Sequence, residues 1–352
     1  MGIDLISFKE LIEGEENFLE NLLFGNGFSR GFHDFSYDTL YKVAEDKLTP
    51  KQKHLFEAFT NTSNFEEILH ALKTAIRIND LYNITDDDLQ KEYLHIKNAL
   101  IRSVRDIHPQ FDCLGTEKIL MLVKVFLLFK DNIFTTNYDL LSYWAQVKVA
   151  QFKDYKCITD LFGKQPKEYL HFKKEKVTLN ATKLYFLHGG LHLFMDKNGD
   201  VRKVVRNDKS ELLLDAIETS INEGNLPLYV AEGNSEDKYK AIQNNTYLEY
   251  CYNSLSNLDG YLTIFGQDLG KSDNHLINGI NQSKVEKVAF GIYDISKSGD
   301  IKERIKQAIP NKEIVFFNSN DFLTTVYNRN IVELNNDKII RDIEEKKTIS
   351  FQ

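Results

Sequence analysis

Short apolar runs that each end in a polar or glycine-rich motif constrain this chain most. Asn21-Leu22-Leu23-Phe24 leads into Gly25-Asn26-Gly27-Phe28-Ser29, and Asn132-Ile133-Phe134 into Thr135-Thr136-Asn137-Tyr138-Asp139. Leu184-Tyr185-Phe186 leads into Leu187-His188-Gly189-Gly190, and Leu262-Thr263-Ile264-Phe265 into Gly266-Gln267. Each run reads as a buried strand, and helical spacing fills the intervals. The pattern predicts an α/β chain built on a Rossmann-like, doubly wound parallel sheet. In such a sheet, ligands sit at the carboxyl ends of the strands, so Asn137, Asp139 and His188 are aimed at a site. Two glycines after the first strand permit a tight turn and close backbone approach. A helix opening there offers free N–H groups to a phosphate.

Residues 36–130 form a helical insertion after the first strand. Phe65, Ile68, Leu69, Leu72 and Ile76 recur at helical spacing, as do Tyr93, Ile96, Leu100, Ile101 and Val104. Asp86-Asp87-Asp88 supplies N-cap candidates before the second set. The block reads either as a lid over the site or as a structural layer. A helix over 140–150 follows the Asn137 motif, with Asp139 as a natural N-cap, and the sequence is then irregular to Thr178. Asn198-Gly199 predicts a hairpin within 191–205. Further strands are expected at 228–230, 288–292 and 314–317, with helices over 238–258, 276–282 and 301–309. Residues 1–334 are read as one domain and 335–352 as a charged tail.

The chain of 352 residues carries a net charge of −8, which gives no general attraction to nucleic acid. No basic segment leads a long apolar core at the start, so no signal peptide is expected. The longest apolar stretch, 119–129, is broken by Lys124 and falls short of the roughly 20 residues a membrane span needs, so a buried core helix is expected. Three scattered cysteines, Cys113, Cys157 and Cys251, exclude a disulfide framework and a four-thiolate zinc site. A soluble cytoplasmic protein without membrane or direct nucleic-acid contacts is the expectation.

Taken in order, these motifs resemble those of the sirtuin superfamily, whose pattern is a Gly-Ala-Gly-x-Ser turn, then Thr-Gln-Asn-x-Asp, then Leu-His-Gly. The form Thr135-Thr136-Asn137-Tyr138-Asp139 is closer to the bacterial sirtuin-like effector branch than to the deacylases. The segment 261–269, with Asp273 and His275 behind it, resembles that branch's Gly-x-Ser-Leu…Asp element. The likeness covers roughly residues 20 to 320. The chain is also similar to an uncharacterised bacterial family containing Gly-Asn-Gly-Phe-Ser.

The resemblance implies an NAD+ glycohydrolase, an oligomeric antiviral effector that releases nicotinamide and ADP-ribose and depletes NAD+ during phage infection. It makes Asn137, His188 and Asp139 the catalytic residues, and Gly25, Asn26, Gly27, Phe28, Ser29 and Thr136 contacts to NAD+. Gly266 and Gln267 would meet the adenosine half, with Asp273 nearby. No metal is implied. A homo-oligomer is expected, restrained until a phage-derived trigger or a HerA-type ATPase partner releases it. Protein deacylases carry a Cys-x-x-Cys zinc ribbon after the Leu-His-Gly strand, and its absence argues against deacylation. Asn26 replaces the family's Ala, and Thr136 its Gln.

The residue chemistry agrees with that implication. The Asn137 amide can hold a water or a ribose hydroxyl, Asp139 can orient that amide, and His188 can accept a proton near neutral pH. Loss of nicotinamide passes through an oxocarbenium-like state, as glycoside hydrolysis does. Three other readings stay open. His188 and His192 have metal-ligand spacing only if helical, which Gly189-Gly190 opposes. Gly266–Ser272 ends Gly-Lys-Ser but is one residue short of a P-loop. Finally, a non-catalytic NAD+ or ADP-ribose-binding regulatory module would need the glycine turn but neither Asn137 nor His188.

Overall fold

The structure is a computed structural model, and it describes residues 5–60, 63–84, 87–151, 157–164, 169–173, 181–195, 199–204, 213–223, 225, 227–230 and 234–329. A two-residue strand β1 (Ile6–Ser7) passes into α1 (Phe8–Gly14) through a capping box between Ser7 and Glu10. Next come β2 (Asn21–Phe24) and the short α2 (Asn26–Arg30). The insertion then contributes α3 (Tyr37–Ala44), α4 (Pro50–Thr60), α5 (Phe65–Leu81), α6 (Asp87–Ile107) and α7 (Gly115–Leu128). The chain returns through β3 (Asn132–Thr135), α8 (Leu141–Gln151), β4 (Cys157–Thr159), β5 (Phe162–Lys164), β6 (Tyr169–Phe172) and β7 (Ala181–Phe186). After β8 (Gly189–Met195), β9 (Val201–Val204), α9 (Leu213–Asn222) and β10 (Pro227–Tyr229) come α10 (Ser235–Gln243) and α11 (Thr246–Ser256). The last units are β11 (Asp259–Phe265), α12 (Asn274–Gln282), β12 (Lys284–Ile292), α13 (Ser298–Ala308), β13 (Glu313–Asn318) and α14 (Phe322–Asn328).

Eight strands form one sheet in the order β1-β13-β12-β11-β2-β3-β7-β4. Every pairing in it is parallel, and helices flank it, giving the Rossmann-like fold that the alternating pattern predicts. Chain order runs from β2 through β3 to β7 on one side, and from β11 through β12 to β13 on the other. The order therefore reverses beside β2, where an open sheet binds its ligands. Register then decides which motifs meet. Phe24 pairs with Thr135, Thr135 with Phe186, and Phe265 with Phe24. All four motifs consequently leave the sheet on one line.

The strands are apolar along their length because both faces are covered; Leu22, Leu23, Phe24, Ile133, Phe134, Leu184, Phe186 and Ile264 are all fully buried. Both periodic helices of the insertion bury the faces their spacing predicts, with Ile76 only partly covered. The apolar run 119–129 lies in α7 up to Leu128 and is core but for the partly buried Met121, and the buried Lys124 ammonium donates to the main-chain carbonyls of Tyr327 and Arg329. No helix of the described residues is long and apolar enough to cross a membrane.

The structure departs from the sequence expectations in three places. Strands β4, β5 and β6 occupy part of the stretch read as irregular, and β5 and β6 join β8, β9 and β10 in a second, antiparallel sheet in the order β10-β8-β9-β6-β5. The strand expected at 228–230 joins this sheet and not the parallel one, pairing antiparallel with β8. Three- and four-residue strands such as Phe162-Gly163-Lys164 are too short to show a period, which is why they escape detection. The helix expected over 238–258 is two helices, because the Asn245 side chain accepts the N–H groups of Tyr247 and Leu248 and starts a new one. The 191–205 hairpin forms, with Met195 opposite Val201 and Gly199 at φ +85°. Asp86, Asn198 and the tail 335–352 lie outside the described residues.

Candidate functional site

The glycine turn after β2 and the turn after β11 press backbone against backbone. Gly25 N–H donates to Phe265 O at 3.2 Å, and Gly27 N–H to Gly266 O at 2.9 Å. A Cβ on Gly27 would lie 2.6 Å from Gly266 Cα. Gly266 itself has φ +65°, and a Cβ there would lie 2.5 Å from Phe28 N. Gly27 and Gly266 are thus needed to bring two strand ends together. Gly27→Val is expected to cost about 1–3 kcal/mol through overpacking, read as a lower denaturant midpoint, and to move both turns. Phe28 points into the core and packs on Phe24 with ring centroids 4.3 Å apart, so its side chain faces away from the cavities.

Ser29 lies buried between the residues of the second motif. The Asn137 amide donates to Gly25 O at 2.9 Å and to Ser29 Oγ at 2.7 Å. Ser29 Oγ in turn donates to Asp139 Oδ2 at 2.5 Å. Asp139 Oδ1 accepts Leu141 N–H at 2.9 Å, an Asx turn that leads into α8 one residue before the N-cap position expected of it. Both amide hydrogens of Asn137 are therefore committed, and its Oδ1 is the atom left for a ligand. Burial raises the Asp139 carboxyl above its ordinary value, against hydrogen bonds from Ser29 and Leu141 that lower it.

His188 is 3% exposed and stands where β7 ends. Its carbonyl accepts Val230 N–H at 3.0 Å, and Gly189 at φ +86° presses its backbone on Leu228. The second sheet therefore buttresses this turn. Tyr138 joins the same contact, with its hydroxyl on Val230 O at 2.7 Å and its ring 3.9 Å from that of Tyr229. Nε2 of His188 faces Nε2 of His275 at 2.8 Å. Beside them Lys238 Nζ lies 3.1 Å from Glu66 and 3.6 Å from Asp273. Burial first, then the neighbouring His275 and Lys238, lower the His188 pKa far below its ordinary value. Burial and Lys238 bring that of His275 down to about 3. Both rings are neutral at physiological pH.

His188, Asp273 and His275 have ligand atoms within 4.8 Å of one another, the composition of a metal site. Two features oppose a cation there. Two nitrogens bound tetrahedrally at about 2.0–2.1 Å stand roughly 3.3 Å apart, farther than this pair. The Lys238 ammonium already serves the Asp273 carboxylate. His192 sits in β8, not on a helix, and is not part of the cluster.

Two cavities open at the strand ends. The smaller, about 170 Å³, is lined by Thr136, Asn137, Asp139 and His188 together with Lys238 and Asp273. Phe35, just before the insertion, and Leu40, Leu100 and Val104 within it form its apolar wall, so the insertion covers this side of the site. The larger, about 630 Å³, spreads over the ends of β11, β12 and β13 past Gly27, Gly266, Gly291 and the exposed Tyr293. Asn26 and Gln267 line both. Gln267 also donates to Thr136 Oγ1 at 3.4 Å, closing the wall between them.

Most of the expected site residues come together here. Asp273, expected near the adenosine contacts, lines the smaller cavity instead. Gly266–Ser272 forms no P-loop: a 3-10 turn at Lys271–Asp273 follows, and Arg304 holds the main-chain carbonyls of Asp268 and Leu269. Lys238, which belongs to none of the four motifs, is central to the smaller chamber. Glu66, Ser235 and the partnership of His188 with His275 were not read from the sequence. One signal was available, a lysine buried on the same helix face as Ile242.

Fold and site together define a Rossmann-like α/β protein with a two-chambered polar site at the point where strand order reverses. The chain belongs to the family described as Domain of unknown function (DUF4917), whose model matches residues 22–323. No curated protein matches it.

Proposed function

We propose that this chain hydrolyses NAD+ to nicotinamide and ADP-ribose. One observation carries the reading: a single wall, Asn26 and Gln267, divides a large cleft from a small chamber, and of the residues lining the two, the one imidazole, His188, and the Asn137–Asp139 pair lie in the small chamber. The adenosine half suits the larger cleft, whose volume is in the usual range for ligand pockets. The glycine turn then carries the pyrophosphate and the small chamber takes the nicotinamide riboside. Heterolysis of the C1′–N bond sends its electron pair to the pyridinium, which leaves as neutral nicotinamide. Water attacks the oxocarbenium carbon and its proton goes to neutral His188. Asn137 Oδ1 accepts a hydrogen bond from that water or from a ribose hydroxyl. The insertion excludes other water.

The test is to incubate purified protein with NAD+ and measure both products. Nicotinamide and ADP-ribose are expected in equal amounts. Nicotinamide mononucleotide, which cannot fill the larger cleft, is expected to react at least about tenfold less efficiently, since remote binding energy is then lost. NAD+ binding with no release of nicotinamide would sink the hydrolase and favour a regulatory module that senses the nucleotide.

A further inference from the structure

Two imidazoles that face each other through like nitrogens 2.8 Å apart need a proton between them, because two bare acceptors repel. The groups around the pair decide where the other protons sit. Ser235 Oγ, at the start of α10, accepts the main-chain N–H of His275 at 2.6 Å and lies 3.2 Å from Nδ1 of the same ring. Lys238 of α10, held by Glu66 of α5 and by Asp273, lies near enough for its charge to disfavour protonation of both rings. An Asp273 carboxylate oxygen is within 4.8 Å of a nitrogen of each.

We propose that His275 is a positioning residue for the cleavage: its Nδ1–H donates to Ser235 Oγ, its Nε2 accepts the Nε2–H of His188, and Nδ1 of His188 is left as the base. The inference rests on the NAD+-cleaving reading of the site. When the attacking water yields its proton to His188 Nδ1, the Nε2 proton of His188 passes to His275 Nε2. The pair gains one proton in total, and its positive charge rests on His275 beside the Asp273 carboxylate. That charge would otherwise sit on the ring nearest the developing oxocarbenium. Lys238 opposes protonation of either ring before reaction, so the base stays in its working neutral form. A neutral imidazole and a serine thus stand where a carboxylate orients the histidine in a catalytic triad.

The experiment compares His275→Phe and His275→Gln with the wild-type chain in nicotinamide release, and records imidazole ¹⁵N shifts on histidine-labelled wild-type protein. His275→Phe is expected to lower kcat about 10²-fold with KM for NAD+ within about twofold. Its acid limb is expected to move to lower pH, since the neutral acceptor that favours protonation of His188 by taking its Nε2–H is gone. His275→Gln, which can still accept from His188 Nε2–H, is expected to recover part of kcat. The shifts are expected to show His188 as the Nε2–H tautomer and His275 as the Nδ1–H tautomer, both neutral.

Wild-type turnover with an undiminished kcat in His275→Phe overturns the proposal alone. So does a loss confined to KM and thermal stability with an unmoved acid limb, which marks a merely structural residue. The opposite tautomers overturn it as well. A wild-type chain that binds NAD+ without cleaving it overturns the parent reading, and the relay with it.

Discussion

Asn137→Ala and His188→Ala are each expected to slow nicotinamide release by about 10²–10⁴-fold while NAD+ still binds, with turnover and calorimetric binding as the paired measurements. The two losses have different origins. In the proposed reaction His188 is the proton acceptor, so its removal would leave water without a base. Asn137 contributes a fixed acceptor: its amide hydrogens are held by Gly25 O and Ser29 Oγ, which aims Oδ1 and nothing else at the chamber. Asn137→Asp separates aim from chemistry. An ionised carboxylate retains an oxygen there but cannot donate to Gly25 O, and it places a second negative charge beside the Ser29–Asp139 bond. Its folded-state pKa is thereby raised. The sign follows: the folded state holds the proton more tightly than the unfolded state, so stability is full below the ordinary Asp value and falls as pH rises through the folded one. Asn137→Asp is therefore expected to be less stable than Asn137→Ala at pH 7 and to recover on acidification. A variant whose denaturant midpoint does not vary with pH contradicts the assigned hydrogen bonds.

The line of motifs was legible in the sequence because every one of them ends a strand of the same parallel sheet. Parallel register converts equal positions in the chain pattern into neighbours in space, as Phe24, Thr135 and Phe186 show. The helical insertion was legible through its period, and its role as a wall was left undecided, since a period says which face is buried and not against what. Two things stayed hidden for physical reasons. The second sheet is built largely of short strands whose pairing depends on β9 meeting β6 across a long stretch of chain. The His188–His275 contact depends on the first turn of α12 lying beside the turn after β7, a packing relation that no local pattern encodes. Lys238 was the visible clue to it: a buried ammonium demands carboxylate partners, and Glu66 and Asp273 are those partners.

Asp160→Ala is expected to destabilise the chain by about 3–5 kcal/mol, the usual cost of leaving one buried charge without its partner. Asp160 and Lys203 form an ion pair with side chains 3% and 5% exposed. The pair joins the turn after β4, at the edge of the parallel sheet, to β9 in the antiparallel one. Lys203 also lies 4.1 Å from the Tyr143 ring centroid and 3.2 Å from Gln146 Oε1, both on α8. Burial pushes the Asp160 carboxyl up, but the Lys203 charge and its hydrogen bond outweigh that and hold it below the ordinary value. Its contribution is therefore complete above the ordinary Asp pKa and is lost as pH falls through the lower, folded one. Urea unfolding of the wild type should weaken in that acidic window, and Asp160→Ala should remove that part of the slope. Asp160→Leu with Lys203→Met is expected to regain most of the loss, because a buried pair replaced by apolar groups of similar volume is often neutral. The functional consequence follows from the topology. The antiparallel sheet carries β10, which braces the His188 turn through Val230, Leu228 and Tyr229. Loosening that sheet should lower turnover in Asp160→Ala even at a temperature where the chain remains folded. Full activity in a folded Asp160→Ala would mean that the His188 turn is held by the parallel sheet alone.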